Sequence, residues 1–365
     1  MKILVLGNAD SRWTKEFIQY ILLSQKIDVT VVLPKSQSKY LMFYLEHSVK
    51  VKTEYGPSAL TKRLPFIRVF SAANQIFRNN EWEDYDYIIN MFVNHRDLYL
   101  SRKIATKRTR IILYYCGSDV FRKTNFDLKV NSFLVRTPYC TCVGSQALYN
   151  ALTQRTPGKA SPQIVRFGIS VFDEILKSDS FGKEPTDERK NVFCIGYNGG
   201  KEQQHLEVIK VFENLSEDKK KKLTLILPMT YRKNNIYIEE VKNLLDATGI
   251  KYELLTEFMN NYEMAAMWSK IGYFINAQTT DSLSASVLES VYAGCTLING
   301  SWLHYPEYEE FNLEHYEFAT FKDLSNILNS ILEDTLDVVK QKDLSVIYDG
   351  MSWKRAETQW KRILV

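Results

Sequence analysis

Short runs of β-branched and aromatic residues alternate along this chain with stretches whose apolar residues recur every three or four positions. The first pattern fits strands covered on both faces, and the second fits helices with one apolar stripe. In the first half strands are expected at 3–6, 29–33, 49–53, 87–93, 111–116, 140–143 and 164–167. Between the first two, Trp13, Phe17, Ile18, Ile21 and Leu22 fall on one helical face, with Ser11 as the expected N-cap. A second series is expected at 192–196, 223–227, 252–255, 273–276, 296–298 and 316–320. Residues 171–190 between the two series are polar, charged and poor in β-branched residues, and read as a linker.

Such alternation predicts an α/β protein with parallel sheets. Two consecutive series predict two Rossmann-like domains facing across a cleft, with ligands beyond the carboxyl ends of the strands. The expected division is an N-terminal acceptor-binding domain (1–170), a C-terminal donor-binding domain (171–351) and a final helix (352–365). That helix is basic, unlike the acidic stretch before it, and is expected to pack back on the N-terminal domain.

Charge sharpens this division. Residues 1–165 hold 24 Lys+Arg against 12 Asp+Glu, or +12, and the remainder holds 23 against 31, or −8. A domain this basic attracts an anionic acceptor or membrane surface, and no nucleic-acid motif accompanies it. No stretch approaches the roughly 20 apolar residues of a membrane span. No secretory signal is visible either, so the expected place is cytoplasmic, peripheral to the inner face of the plasma membrane. The five cysteines lack metal spacing and read as buried thiols of a reducing compartment.

The strongest chemical pattern is Asp281-Ser-Leu-Ser-Ala-Ser-Val-Leu-Glu289. If a helix starts near Ser282, the two acids share a face about two turns apart. Asp281 then suits sugar hydroxyls and Glu289 a ribose diol, with the amides of Ser282, Leu283 and Ser284 between them for a diphosphate. The same spacing also fits a capping acid followed by an ordinary helix glutamate.

Gly196-Tyr197-Asn198-Gly199-Gly200-Lys201 follows a strand. Gly199 and Gly200 permit close approach to phosphate, and Lys201 supplies charge for a leaving group. A plain strand-to-helix turn is the alternative, and His205 just beyond reads as a helix-surface histidine. Thr230 and Arg232 follow the next strand within reach of phosphate or base. In the N-terminal half, His95 and Asp119 each follow a strand end.

Asp84-Tyr85-Asp86 resembles a metal-binding DxD but precedes its strand, so no metal and no cofactor is expected. Residues 60–78 join Lys62, Arg63 and Arg68 to Phe66 and Phe70. That mixture suits membrane headgroups and a lipid-linked acceptor, or a core helix with a solvated edge.

Together these motifs resemble retaining glycosyltransferase family 4, which has the GT-B fold. The landmarks are Tyr115 to Val120, Val143-Gly144-Ser145, Phe167 to Ser170, Gly196 to Lys201, Asp281 to Glu289 with Ala293-Gly294, and Ser352-Trp353. Departures are Asp281 for the family's first glutamate, Ser282 and Ser284 for its glycines, and Tyr197 or Asn198 for its arginine.

Leu227 to Tyr231, Asn234-Asn235, Tyr237 to Glu239 and Tyr273 to Ile275 resemble the fucosamine transferase of enterobacterial common antigen. Both resemblances imply the GT-B fold and a nucleotide-sugar donor, and the second implies a lipid-linked glycan acceptor. With the misplaced DxD, the expected activity is that of a metal-independent hexosyltransferase acting on a lipid-linked or cell-surface glycan precursor. The first implies retention and the second inversion, with Asp119 or His95 then serving as base. A catalytically silent GT-B subunit and a GT-B sugar-nucleotide epimerase are the rival expectations.

Overall fold

The computed structural model describes residues 1–34, 38–56, 65–158, 161–178, 189–231 and 234–365, with only the backbone at 65–66. Two compact units emerge: Met1–Gly168 with Trp353–Val365, and Ile169–Ser352.

The first unit is a seven-stranded parallel sheet in the order β3-β2-β1-β4-β5-β6-β7. Its strands are β1 (Lys2–Leu6), β2 (Asp28–Pro34), β3 (Lys50–Glu54), β4 (Tyr87–Met91), β5 (Arg110–Tyr115), β6 (Cys140–Val143) and β7 (Gln163–Ile164). All five residues of β4 are buried, as expected of a central parallel strand. Ser11 caps the first helix by accepting from the Thr14 amide at 3.2 Å, and Phe17, Ile18, Ile21 and Leu22 are fully buried beyond it.

The helix Trp353–Ile363 buries Trp353, Ala356, Trp360 and Ile363 along one face. Trp360 meets Phe17 at 4.7 Å between ring centroids, so this last helix belongs to the first unit. A Cβ on Gly168 would lie 2.3 Å from the Trp353 ring, which explains the glycine there.

The second unit holds six parallel strands in the order β10-β9-β8-β11-β12-β13. They are β8 (Val192–Ile195), β9 (Thr224–Pro228), β10 (Lys251–Leu255), β11 (Tyr273–Asn276), β12 (Thr296–Gly300) and β13 (Tyr316–Phe318).

Three expectations change. The strand expected at 164–167 ends at Ile164, because Phe167 turns into an aromatic cluster with Tyr114 at 4.5 Å and Trp13 at 5.9 Å. The expected linker begins with a helix, Val171–Leu176, whose Val171, Phe172 and Ile175 are buried; residues 179–188 lie outside the described residues. Four cysteines are buried as expected, whereas Cys116 is half-buried, and all five are free thiols.

Candidate functional site

In an open parallel sheet, two neighbouring strands whose connections run in opposite directions leave a crevice at their carboxyl ends. In the second unit that pair is β8 and β11. The loops that follow them, 196–204 and 277–284, carry Asp281 and six of the nine residues expected to hold the donor: Gly199, Gly200, Lys201, Ser282, Leu283 and Ser284.

These loops are stitched together by amide side chains. Gly196 turns with φ +63°, and the Tyr197 amide then donates to Gln203 Oε1 at 3.0 Å. Gln203 Nε2 donates to Gln278 Oε1, and Gln204 Nε2 donates to the Ala277 carbonyl at 2.6 Å. Trp302 Nε1 donates to the Gln278 carbonyl at 2.8 Å. Nothing in sequence spacing pairs residues 75 positions apart, so this network was invisible there.

Asp281 lies in the loop just before the next helix. Its carboxylate accepts from the amides of Ser282 at 2.8 Å and Ser284 at 2.9 Å, and from the Tyr305 hydroxyl at 3.0 Å. Burial raises its pKa, opposed by donation from Ser284, Ser282, Tyr305 and Tyr197. Leu283 between the two amides holds φ +66°, a left-handed conformation unusual for a branched residue. Two of the three amides expected to meet a diphosphate thus donate to Asp281 in this structure.

The helix itself is Ala285–Tyr292, so Glu289 lies about one turn in, not two. It is 1% exposed and accepts from Trp268 Nε1 at 3.3 Å. The indole of Trp268 also floors a narrow slot lined by Tyr197, Thr230, Tyr231, Met259 and Met267. Thr230 therefore stands where expected, at a strand end beside a recess. Arg232 lies outside the described residues.

The glycine loop departs from expectation in detail. The Gly199 amide donates to the Tyr231 carbonyl at 2.8 Å and the Gly200 amide to Asn198 Oδ1 at 2.9 Å, so neither is open to phosphate. Lys201 is exposed, 3.5 Å from Glu240 and 5.3 Å above the Tyr237 ring centroid. His205 is not on a helix surface. It is fully buried, its Nδ1 lies 3.3 Å from the Tyr237 hydroxyl, and burial lowers its pKa to about 3.

In the first unit the reversal falls between β1 and β4. Gly7 packs so tightly there that a Cβ would sit 2.2 Å from the Met91 carbonyl oxygen, and its φ is +132°. Sequence reasoning passed over this loop, although a glycine straight after the first strand was a visible signal. Across from it, Phe92 holds φ +55° and Asn94 caps the helix His95–Ile104 by accepting from the Asp97 amide. His95 Nε2 lies 3.2 Å from the Asp127 carbonyl oxygen.

Asp119 has a different task from the one expected. Its carboxylate accepts from the amides of Val93 at 2.9 Å, Cys116 at 3.0 Å and Gly117 at 2.8 Å, which clamps the loops after β4 and β5 together. It is 5% exposed, and burial pushes its pKa up to about 6 against those donors. Both of its oxygens accept from backbone amides.

The basic, aromatic stretch divides similarly. Arg68 is exposed on the helix Pro65–Arg78, but Phe70 is half-buried and packs edge-on against Tyr99 at 4.8 Å. Lys62, Arg63 and the Phe66 side chain lie outside the described residues. The DxD aspartates precede β4, at the sheet edge opposite the loops described above, and Asp86 accepts from the Lys2 amide at 2.7 Å.

No family model matches the chain, and no curated protein matches it. Solved structures do. The chain aligns over 100% of its length with 99% of Anabaena HepE in complex with UDP and glucose, at 14% identity and TM-score 0.70. It aligns over 100% of its length with 98% of sucrose-phosphate synthase from Thermosynechococcus elongatus, at 11% identity and TM-score 0.73. A glycosyltransferase from Rickettsia africae matches over 100% and 97%, at 10% identity and TM-score 0.71.

The chain has the GT-B fold. Each GT-B unit thus presents one strand-reversal edge. That of the second unit gathers Tyr197, Gln278, Asp281 and Tyr305, and that of the first gathers Gly7, Phe92 and His95.

Proposed function

We propose that this protein is a metal-independent glycosyltransferase that moves a hexose from a nucleoside diphosphate sugar to a lipid-linked or cell-surface glycan precursor. The observation that carries this reading is the β8/β11 edge, where the half-buried Asp281 just before a helix adjoins an aromatic and methionine-lined slot whose Trp268 donates to the buried Glu289. The resemblance to HepE, whose solved structures hold UDP and UDP-glucose, supports the choice of donor.

The slot is narrow, about 20 Å³, so in this proposal Tyr197 and Met259 draw apart to admit the base beside Trp268, where aromatic and thioether side chains favour a ring. Glu289 exchanges its indole partner for the ribose diol. The diphosphate takes the amides of Ser282 and Ser284 from Asp281, with Lys201 swinging from Glu240 to meet the growing charge. Asp281, released from the amides, accepts from hydroxyls of the donor sugar. Leu283 in its left-handed conformation is the hinge of that exchange.

His95 faces the acceptor. If the configuration at the anomeric carbon is retained, the leaving phosphate takes the acceptor proton; if inverted, His95 does. Localisation at the inner face of a plasma membrane belongs to the same proposal, since the acceptor class resides there.

One observation favours a catalytically silent GT-B subunit instead: Ser282, Ser284, Gly199 and Gly200 all donate their amides within the protein. Release of nucleoside diphosphate from a panel of nucleotide hexoses decides between the two readings. Release marks a transferase, and binding without release marks a silent subunit. An epimerase would return an isomerised sugar nucleotide in the same assay.

A further inference from the structure

The helix Asn125–Leu134 in the first unit buries Leu128, Asn131 and Leu134 and turns a different face outward. On that outer face Phe126 is 64% exposed and Phe133 is 59% exposed. Seven residues make almost two full turns, so the two rings project from one side about 10 Å apart. A large apolar side chain left in water once is unremarkable. Two on one short face, at matched spacing, mark a surface that is covered in use.

The surroundings of these rings are basic. Lys129 stands between them, Arg122 and Lys123 precede the helix, and Arg136 follows it. The Arg136 guanidinium lies 5.5 Å from the Phe133 ring centroid, which keeps a charge beside an apolar wedge. The one acid of the helix, Asp127, is tied into its capping box with Thr124. Alongside runs a groove of about 490 Å³ lined by Lys129, Phe133, Arg136, Arg155 and Pro157.

Aromatic rings that enter an apolar layer, ringed by cations that stay with phosphates, describe a contact with lipid headgroups. The +12 charge of residues 1–165 points to the same sign of partner.

We infer that this face docks the protein on an anionic phospholipid bilayer, with Phe126 and Phe133 inserted below the headgroups and the groove accepting a lipid headgroup. The inference rests on the proposed membrane-borne acceptor for its purpose, and it relocates the contact from the 60–78 segment, where Phe70 is packed against Tyr99. The amino end of the docking helix reaches His95 through the Asp127 carbonyl oxygen, so the bilayer would lie beside the strand-end edge that faces the acceptor.

Co-sedimentation with vesicles of phosphatidylcholine, with and without phosphatidylglycerol, tests this on the full chain. The wild type should bind the anionic vesicles at low ionic strength and release them as salt rises. Phe126→Ser/Phe133→Ser and Lys129→Ser/Arg136→Ser should each weaken binding by about tenfold or more. These positions are exposed, so both variants should melt like the wild type.

The inference is overturned if the wild type ignores anionic vesicles, or if the phenylalanine variant, melting normally, binds them as well as the wild type. Nucleotide-sugar binding by the same preparations is read separately. Its absence would count against the proposed transferase and leave the docking face standing.

Discussion

Replacing Gly196 by Ala should destabilise the second unit through two contacts that the structure specifies. The residue has φ +63°, where a Cβ meets its own backbone at about 1–2 kcal/mol. The new methyl would also lie 2.8 Å from both Gln203 Oε1 and His205 Nε2. Side-chain ends often yield cheaply, but these are 1% and 0% exposed and have little room to withdraw. If Gln203 shifts, the Tyr197 amide loses its acceptor, worth about 1 kcal/mol more.

The sum is about 2–4 kcal/mol. For a unit of this size that corresponds to roughly 5–15 °C in melting temperature. Thermal unfolding by circular dichroism measures it. In a double-mutant cycle Gly196→Ala should cost less when His205 is already Ala, because one of the two obstructing atoms is then gone. A shift below about 2 °C for Gly196→Ala alone would refute the claim that this turn is held rigidly against Gln203 and His205.

His205 is neutral in the fold with its pKa lowered to about 3 by burial, against about 6.5 when unfolded. The unfolded chain therefore takes up the proton first; stability is complete above about pH 6.5 and should fall by about 2–3 kcal/mol by about pH 4.5. His205→Gln should flatten that slope in urea titrations across pH, and an equal slope in both proteins would contradict the assignment. Asp119→Asn places an amide donor against backbone donors and should lose about 2–4 kcal/mol at neutral pH; a loss under about 0.5 kcal/mol would show that the clamp is dispensable. Release of nucleoside diphosphate should survive EDTA, because Asp84 and Asp86 precede β4, at the end of their own sheet away from the loops that follow β1 and β4; abolition by chelator and rescue by Mn²⁺ would overturn the proposed metal independence.

An expected run overlaps each of the thirteen strands of the described residues: the central strands are apolar nearly throughout because both faces are covered, whereas β3, β7 and β10 at the sheet edges carry polar, part-exposed residues and were marked less fully. The ends of those runs located Asp119, Thr230 and Asp281 at strand-end loops. Their partners were another matter. Asp119 looks like a free carboxylate in sequence, and only the fold brings the Val93 amide to it across 26 residues. His205 opens a helix after the polar Gln203-Gln204, and only the fold brings Tyr237, 32 residues on, against it. The helix Val171–Leu176 was hidden because its three buried apolar residues are followed by a long charged run. The face that carries Phe126 and Phe133 is not legible in the sequence, because an exposed phenylalanine and a core one look alike there.

The central claim is that the β8/β11 edge of the second unit holds the nucleoside diphosphate of a sugar donor. Isothermal titration of the wild type and Glu289→Gln with a panel of nucleotide hexoses tests it most directly. One donor should bind the wild type, and the variant should lose about 1.5–3 kcal/mol, or roughly 10- to 150-fold in Kd, with its fold intact. Failure of every nucleotide hexose to bind, or equal affinity in the two proteins, would contradict the account.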